Sequence, residues 1–156
     1  MKIYTVRREQ LVEWPLHDVF KLFERPENLA LITPPAMKFK IFTPRPIEKR
    51  CGTVVDYSVR ILGIPLHWRM MITDYQPPYS FIDVQLKGPY TFWHHTHTFD
   101  ECSNGTMIID EVRYVLPFGF IGRLVHALFV KRRIHRIFDY RASVVERTFK
   151  AELESE

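Results

Sequence analysis

The most constraining stretch of this chain is the pair of runs on either side of Asn104-Gly105. Phe92 to Glu101 and Thr106 to Leu116 both alternate with a period of two, and the dipeptide between them is a strong short-range hairpin signal. A hairpin decides which side chains share a face. Pairing Ser103 with Thr106 predicts Phe99 opposite Asp110, His97 opposite Val112, His95 opposite Tyr114 and Trp93 opposite Leu116. Those eight residues lie on one face. Because four of them are Trp93, Phe99, Val112 and Leu116, that face is expected inside. His95, His97, Asp110 and Tyr114 are then buried as well, where each polar group needs a partner.

The rest of the chain extends the hairpin into a sheet. Lys2 to Glu13 alternates as a strand with one wet face. Pro15 opens a short helix with Leu16, Val19, Phe20 and Phe23 on one side, and Pro26 ends it. A second helical piece, Glu27 to Ile32, stops at Pro34-Pro35. Strands are expected at Lys38 to Phe42, Thr53 to Leu62, Leu66 to Tyr75 and Ser80 to Leu86, divided by Gly63-Ile64-Pro65, Pro77-Pro78 and Gly88-Pro89. Phe120 to Lys150 has helical composition, but its two apolar stripes are rotated against each other, which calls for a kink or a short preceding helix near His126. The predicted fold class is α+β: a curved seven-stranded antiparallel sheet wrapped around a long C-terminal helix, with two short helices after the first strand. Only the long helix can cover the sheet's apolar face, and a strongly bent sheet around one helix leaves a cavity. Residues 1–150 are expected to form a single domain around that cavity and 151–156 a polar tail.

Composition narrows the class. A length of 156 residues with 46% hydrophobic and 26% charged residues describes one folded domain. A net charge of +4 is too mild for a nucleic-acid arm, so no nucleic-acid partner is expected. Cys51 and Cys102 make no disulfide framework, and MKIYTVRREQ is not a secretory leader; the expectation is a cytoplasmic protein. The most apolar stretch, Tyr114 to Val130, contains Pro117, Arg123 and His126, so no integral membrane segment is predicted.

Several motifs resemble a known family. The order of elements is similar to the helix-grip fold of the START-like superfamily, also called SRPBCC, which includes pollen-allergen proteins and polyketide cyclases. Pro15-Leu16-x-x-Val19-Phe20-x-x-Phe23-x-x-Pro26-Glu27-Asn28-Leu29 resembles its first helix and turn. Phe81 to Tyr90, Trp93-His94-His95-x-His97-x-Phe99 and Asp110-x-Val112-x-Tyr114-x-Leu116-Pro117-Phe118-Gly119 resemble an uncharacterised bacterial subfamily. The resemblance implies a cavity that takes a small hydrophobic or amphipathic molecule, and in some members cyclisation or dehydration of polyketides.

The candidate ligand-binding residues are Trp93, His95, His97, Asp110, Tyr114, Tyr57 and Trp68, the aromatic rings as walls and the polar groups for the ligand's polar end. His97 with Asp110 is the candidate acid–base pair. The cluster also reads as a satisfied hydrogen-bond network, or as a metal site built on His95-x-His97 with Asp110; no metal and no cofactor are assigned. Asp83 and Gln85 join if their face is inward, whereas the opposite phase buries Ile82, Val84 and Leu86, and both phases stay open. Trp68 and Met70 are set against Met71 in the same way. Arg141 falls on an apolar helix stripe and reaches either solvent or a buried anionic group. Phe118, Phe120, Ile121, Leu124 and Phe129 read as helix-docking contacts or a cavity gate. The basic run Lys131-Arg132-Arg133 offers a third function class, contact with a membrane or partner surface.

Overall fold

The architecture was obtained as a computed structural model describing residues 1–155; Glu156, the end of the expected tail, lies outside the described residues. Strand β1 (Tyr4–Val12) leads into helices α1 (Leu16–Glu24) and α2 (Leu29–Ile32). Strands β2 (Lys40–Ile41), β3 (Val54–Ile61), β4 (Ile64–Gln76), β5 (Ser80–Lys87), β6 (Phe92–Cys102) and β7 (Gly105–Val115) follow. Helix α3 (Gly119–Val125) passes through a π-helical turn (His126–Val130) into α4 (Lys131–Ser155). Of the two apolar stripes only the second is buried, through Ile134, Phe138 and Val145, whereas Leu124, Val125 and Leu128 are exposed. Helix α4 continues through the described part of the expected tail, with Ala151 to Ser155 all exposed.

All seven strands pair antiparallel in the order β1-β7-β6-β5-β4-β3-β2. Register shifts between Arg69 and Met70 and between Ile72 and Asp74 interrupt the β4–β5 ladder. Bulges of this kind bend a sheet and increase its twist. The concave face packs on α1 and α4 through Val19, Phe20, Phe23, Ile72, Phe81, Phe99, Val145 and Phe149, all buried. Phe20 meets Phe99 edge-on at 5.1 Å between ring centroids.

The β6–β7 register differs from the prediction by two residues. His97 lies opposite Asp110, His95 opposite Val112, Trp93 opposite Tyr114 and Cys102 opposite Gly105. Ser103-Asn104 makes the turn, and Gly105 is already in the strand. Its φ is +147°, and a Cβ there would collide with the Val12 carbonyl oxygen. Only glycine lets β1 approach that closely. A slip of two preserves strand parity, so the inward set is unchanged.

The open phases are resolved. Phe81 and Asp83 are buried, and Leu86 is exposed. Trp68, Met70 and Ile72 are buried, and Met71 is not. The segment after β7 departs from a docking role: Phe118, Phe120, Ile121, Leu124 and Phe129 are all exposed, while Gly122 and His126 take the inward positions. Among the described residues no helix is long and apolar enough to cross a membrane.

Candidate functional site: a histidine–aspartate wall on an apolar cavity

Strand β6 carries His95 and His97 inward, flanked by Asp83 on β5 and Asp110 on β7. Asp83 is opposite His95, and Asp110 is opposite His97. The hydrogen bonds run across these pairs. His97 Nε2 is 2.6 Å from Asp83 Oδ2, and His95 Nε2 is 2.7 Å from Asp110 Oδ1. Both carboxyls are held below the usual carboxylate range: burial pushes them up, but hydrogen bonds and charge from the imidazoles outweigh it. Ionised carboxylates only accept, so both Nε2 atoms donate. Burial, with repulsion from His97, pushes His95 down to about 4. At neutral pH His95 is therefore an uncharged donor.

The two imidazoles stack with centroids 3.6 Å apart and planes 26° apart. Phe81 stacks on the far side of His97 at 4.0 Å. Two cations complete the charge balance. Lys49 Nζ, buried, donates to the Phe23 carbonyl at 2.5 Å and sits 3.8 Å over the Phe81 ring. Burial draws it down to about 8 against the pull of Asp83. Arg141 Nη1 lies 4.0 Å from Asp110 Oδ1, too far for a hydrogen bond. Its Nε and Nη1 are buried without a hydrogen-bond partner among the described residues.

Asp83, His95 and His97 bring three metal-ligand atoms within 4.8 Å of one another. The chemistry of the donors is unfavourable to a cation. A metal sits near the plane of an imidazole that binds it, and two nearly parallel rings at stacking distance share no such point. Both carboxylates already face positive charge from Lys49 or Arg141. The arrangement is that of a hydrogen-bonded, charge-compensated wall.

The wall borders a cavity of about 140 Å³ between sheet and α4. Tyr57, Trp68, Tyr90 and Trp93 crowd one side; Ile134, Phe138 and Arg141 come from α4. Trp68 and Trp93 meet edge-on at 5.3 Å, and Tyr57 stacks on Trp68 at 5.9 Å. The chain matches solved structures along nearly its whole length. With the Zhui aromatase/cyclase from Streptomyces sp. R1128 the TM-score is 0.75 at 15% identity, over 97% of this chain and 96% of that one. TTHA0849 from Thermus thermophilus gives 0.71 at 16% identity, over 96% and 99%. Ara h 8.0201 gives 0.64 at 16% identity, over 92% and 98%. The fold is a helix grip, a curved antiparallel sheet around a long C-terminal helix. No family model matches the sequence, and no curated protein matches it.

Within this helix grip the predicted site residues fall in three places. Tyr57, Trp68, Trp93, His95 and His97 line the cavity together. Asp110 stands behind the imidazoles and acts on the cavity through them. Tyr114 is turned elsewhere: its hydroxyl is 2.6 Å from His126 Nε2, and burial pushes it up to about 12. That contact links β7 to the helix grip's C-terminal segment, and Tyr114 is not among the residues lining the cavity. Lys49 and Tyr90 are cavity residues that the sequence does not single out. Lys49 lies between β2 and β3 with no periodic pattern to place it. Tyr90 follows Gly88-Pro89 in a connector, anchored by Gln85 Nε2 donating to its carbonyl at 2.7 Å.

Proposed function

We propose that the cavity binds a small, largely apolar molecule carrying one hydrogen-bond-accepting polar group. The carrying observation is Arg141, a residue of the cavity lining whose Nε and Nη1 are buried without a hydrogen-bond partner among the described residues, with Nη1 4.0 Å from Asp110 Oδ1. Buried donors without acceptors cost free energy, and a ligand carboxylate, phenolate or carbonyl would relieve that cost. The volume limits the apolar part: an apolar cavity of roughly 150 Å³ accommodates one benzene ring. Stacked and edge-on faces of Trp68, Trp93 and Tyr57 suit an aromatic ring.

A cyclase- or dehydratase-type reaction is the other reading, suggested by the likeness to an aromatase/cyclase. The polarising partner of His97 is then Asp83, at 2.6 Å, rather than Asp110. His97 Nε2 is held by Asp83, and Nδ1, buried without a hydrogen-bond partner among the described residues, lies 3.2 Å from Asp110 Oδ1, a group that does not line the cavity. Proton exchange with a substrate needs a ring nitrogen that faces it. The geometry therefore favours binding over acid–base turnover.

Calorimetric titration with benzoate and other single-ring aromatic acids and phenols tests the binding reading. Arg141→Met is expected to weaken binding by about ten- to a hundredfold, the range of a hydrogen bond to a charged group. Absence of binding across the panel, or equal affinity in Arg141→Met, counts against the proposal.

A further inference from the structure

The segment joining β7 to α4 presents an apolar ridge to solvent. Phe118, Phe120 and Phe129 are 80%, 72% and 63% exposed, and Ile121, Leu124 and Leu128 are each more than half exposed. Helix-docking residues normally face inward. Here the inward positions belong to Gly122 and His126. Gly122 lies against Pro117, where a Cβ would collide with the carbonyl oxygen. His126 stacks on Tyr4 at 3.5 Å and meets the Tyr114 hydroxyl. The segment is therefore fastened by its two small or polar contacts, and its large apolar side chains have no protein to cover them.

Charge around the ridge is of one sign. Between Glu111 and Asp139 the sequence has six Lys or Arg and no Asp or Glu. Arg123 lies within the ridge; Lys131, Arg132 and Arg136 follow it on the exposed side of α4. The sheet's register brings a second apolar tip to the same end of the molecule. Leu62 and Ile64, at the β3–β4 turn, are 81% and 62% exposed. That turn, the β5–β6 connection and the start of α3 lie at one end of the sheet.

We infer that the ridge Phe118–Phe129 inserts into the surface of an anionic lipid bilayer, with Arg123, Lys131, Arg132 and Arg136 facing the headgroups. Apolar side chains projecting from a helix that lies in the interface, with cations beside them, are the pattern by which a protein rests on a membrane without crossing it. A second copy of this chain fits less well. A two-fold contact through the ridge would bring the same cations together with no intervening acid. The inference stands apart from the cavity reading, since no ridge residue from Phe118 to Phe129 lines the cavity.

Vesicle flotation tests it, using the full chain with vesicles of equimolar phosphatidylcholine and phosphatidylglycerol, and with phosphatidylcholine alone. The wild type is expected to float with the anionic vesicles, and molar salt to weaken that association. Phe120→Ser with Phe129→Ser is expected to lower partitioning by more than about tenfold, because each buried phenyl ring contributes a factor of that order. Arg132→Glu is expected to lower it by about fivefold or more on anionic vesicles only. Both phenylalanines are exposed, so these variants should melt like the wild type. No flotation with anionic vesicles overturns the inference, as does flotation indifferent to the Phe120 and Phe129 changes. So does a dimer in sedimentation velocity that these changes dissociate while vesicles bind no protein; the face would then belong to a second copy.

Discussion

His95 and His97 lie ring on ring at 3.6 Å, yet each donates to the carboxylate diagonal to it rather than the one opposite. The crossing ties three adjacent strands into one polar unit. It also makes the two aspartates non-equivalent: Asp83 lies beside the cavity, and Asp110 lies behind it.

Removing either carboxylate leaves a buried network with a missing acceptor. Asp83→Ala is expected to destabilise the protein by roughly 3–5 kcal/mol, the usual cost of stranding one half of a buried pair. Urea unfolding at neutral pH measures this. A loss below about 1 kcal/mol would mean that the wall contributes little to the fold.

Acid should weaken the fold in two stages. His95 has its folded value lowered to about 4 from 6.5, so below about pH 6.5 the unfolded chain takes up a proton that the folded chain refuses. Stability is complete above that pH and declines as pH falls toward 4, by about 3 kcal/mol in all. Asp83 and Asp110, both lowered on folding, continue the decline below the ordinary carboxylate range. Urea midpoints measured across this range should fall steadily, and His95→Gln should flatten the upper part. A midpoint independent of pH from about 6.5 to about 4.5 would contradict the buried neutral imidazole.

Tyr114→Phe removes the hydroxyl that meets His126 at 2.6 Å. The expected cost is about 1–2 kcal/mol, with hydrogen exchange accelerated in α3. Affinity for single-ring acids should be unchanged, because Tyr114 points away from the cavity. A selective loss of affinity with normal exchange would place the tyrosine in the site after all.

Gly105→Ala should be costly for a residue beside a surface turn. Its added methyl would run into the Val12 carbonyl, and its backbone has a positive φ. A destabilisation of about 2 kcal/mol or more is expected from displacement of β1. A neutral change in melting temperature would show that β1 yields freely.

Much of this fold is written in strand periodicity. Alternation through Phe92–Glu101 and Thr106–Leu116 is enough to turn His95, His97 and Asp110 inward, even with the hairpin misplaced by two residues. The misplacement follows from treating Asn104-Gly105 as the turn centre; the close approach of β1 to Gly105 is a tertiary fact that no local pattern carries. Asp83 is ambiguous in sequence because the more apolar face of β5, Ile82, Val84 and Leu86, is not the buried one; pairing with β6 sets Phe81 opposite His97 and Asp83 opposite His95 on the inward face. Lys49 has no local signal, since its place follows from an irregular connector. Phe120 and Phe129 mislead for a different reason: apolar residues on a helix are normally a docking face, and here Gly122 and His126 dock instead.

The most direct test of the cavity's role is the Arg141 Nε–H resonance followed by NMR during a benzoate titration. The guanidinium nitrogen is buried and unpartnered, so its proton should be protected enough to observe. A saturable downfield shift, accompanied by changes at the Trp68 and Trp93 indoles, is the predicted result. An Arg141 signal that stays fixed while benzoate and its single-ring analogues reach saturating concentration would contradict it.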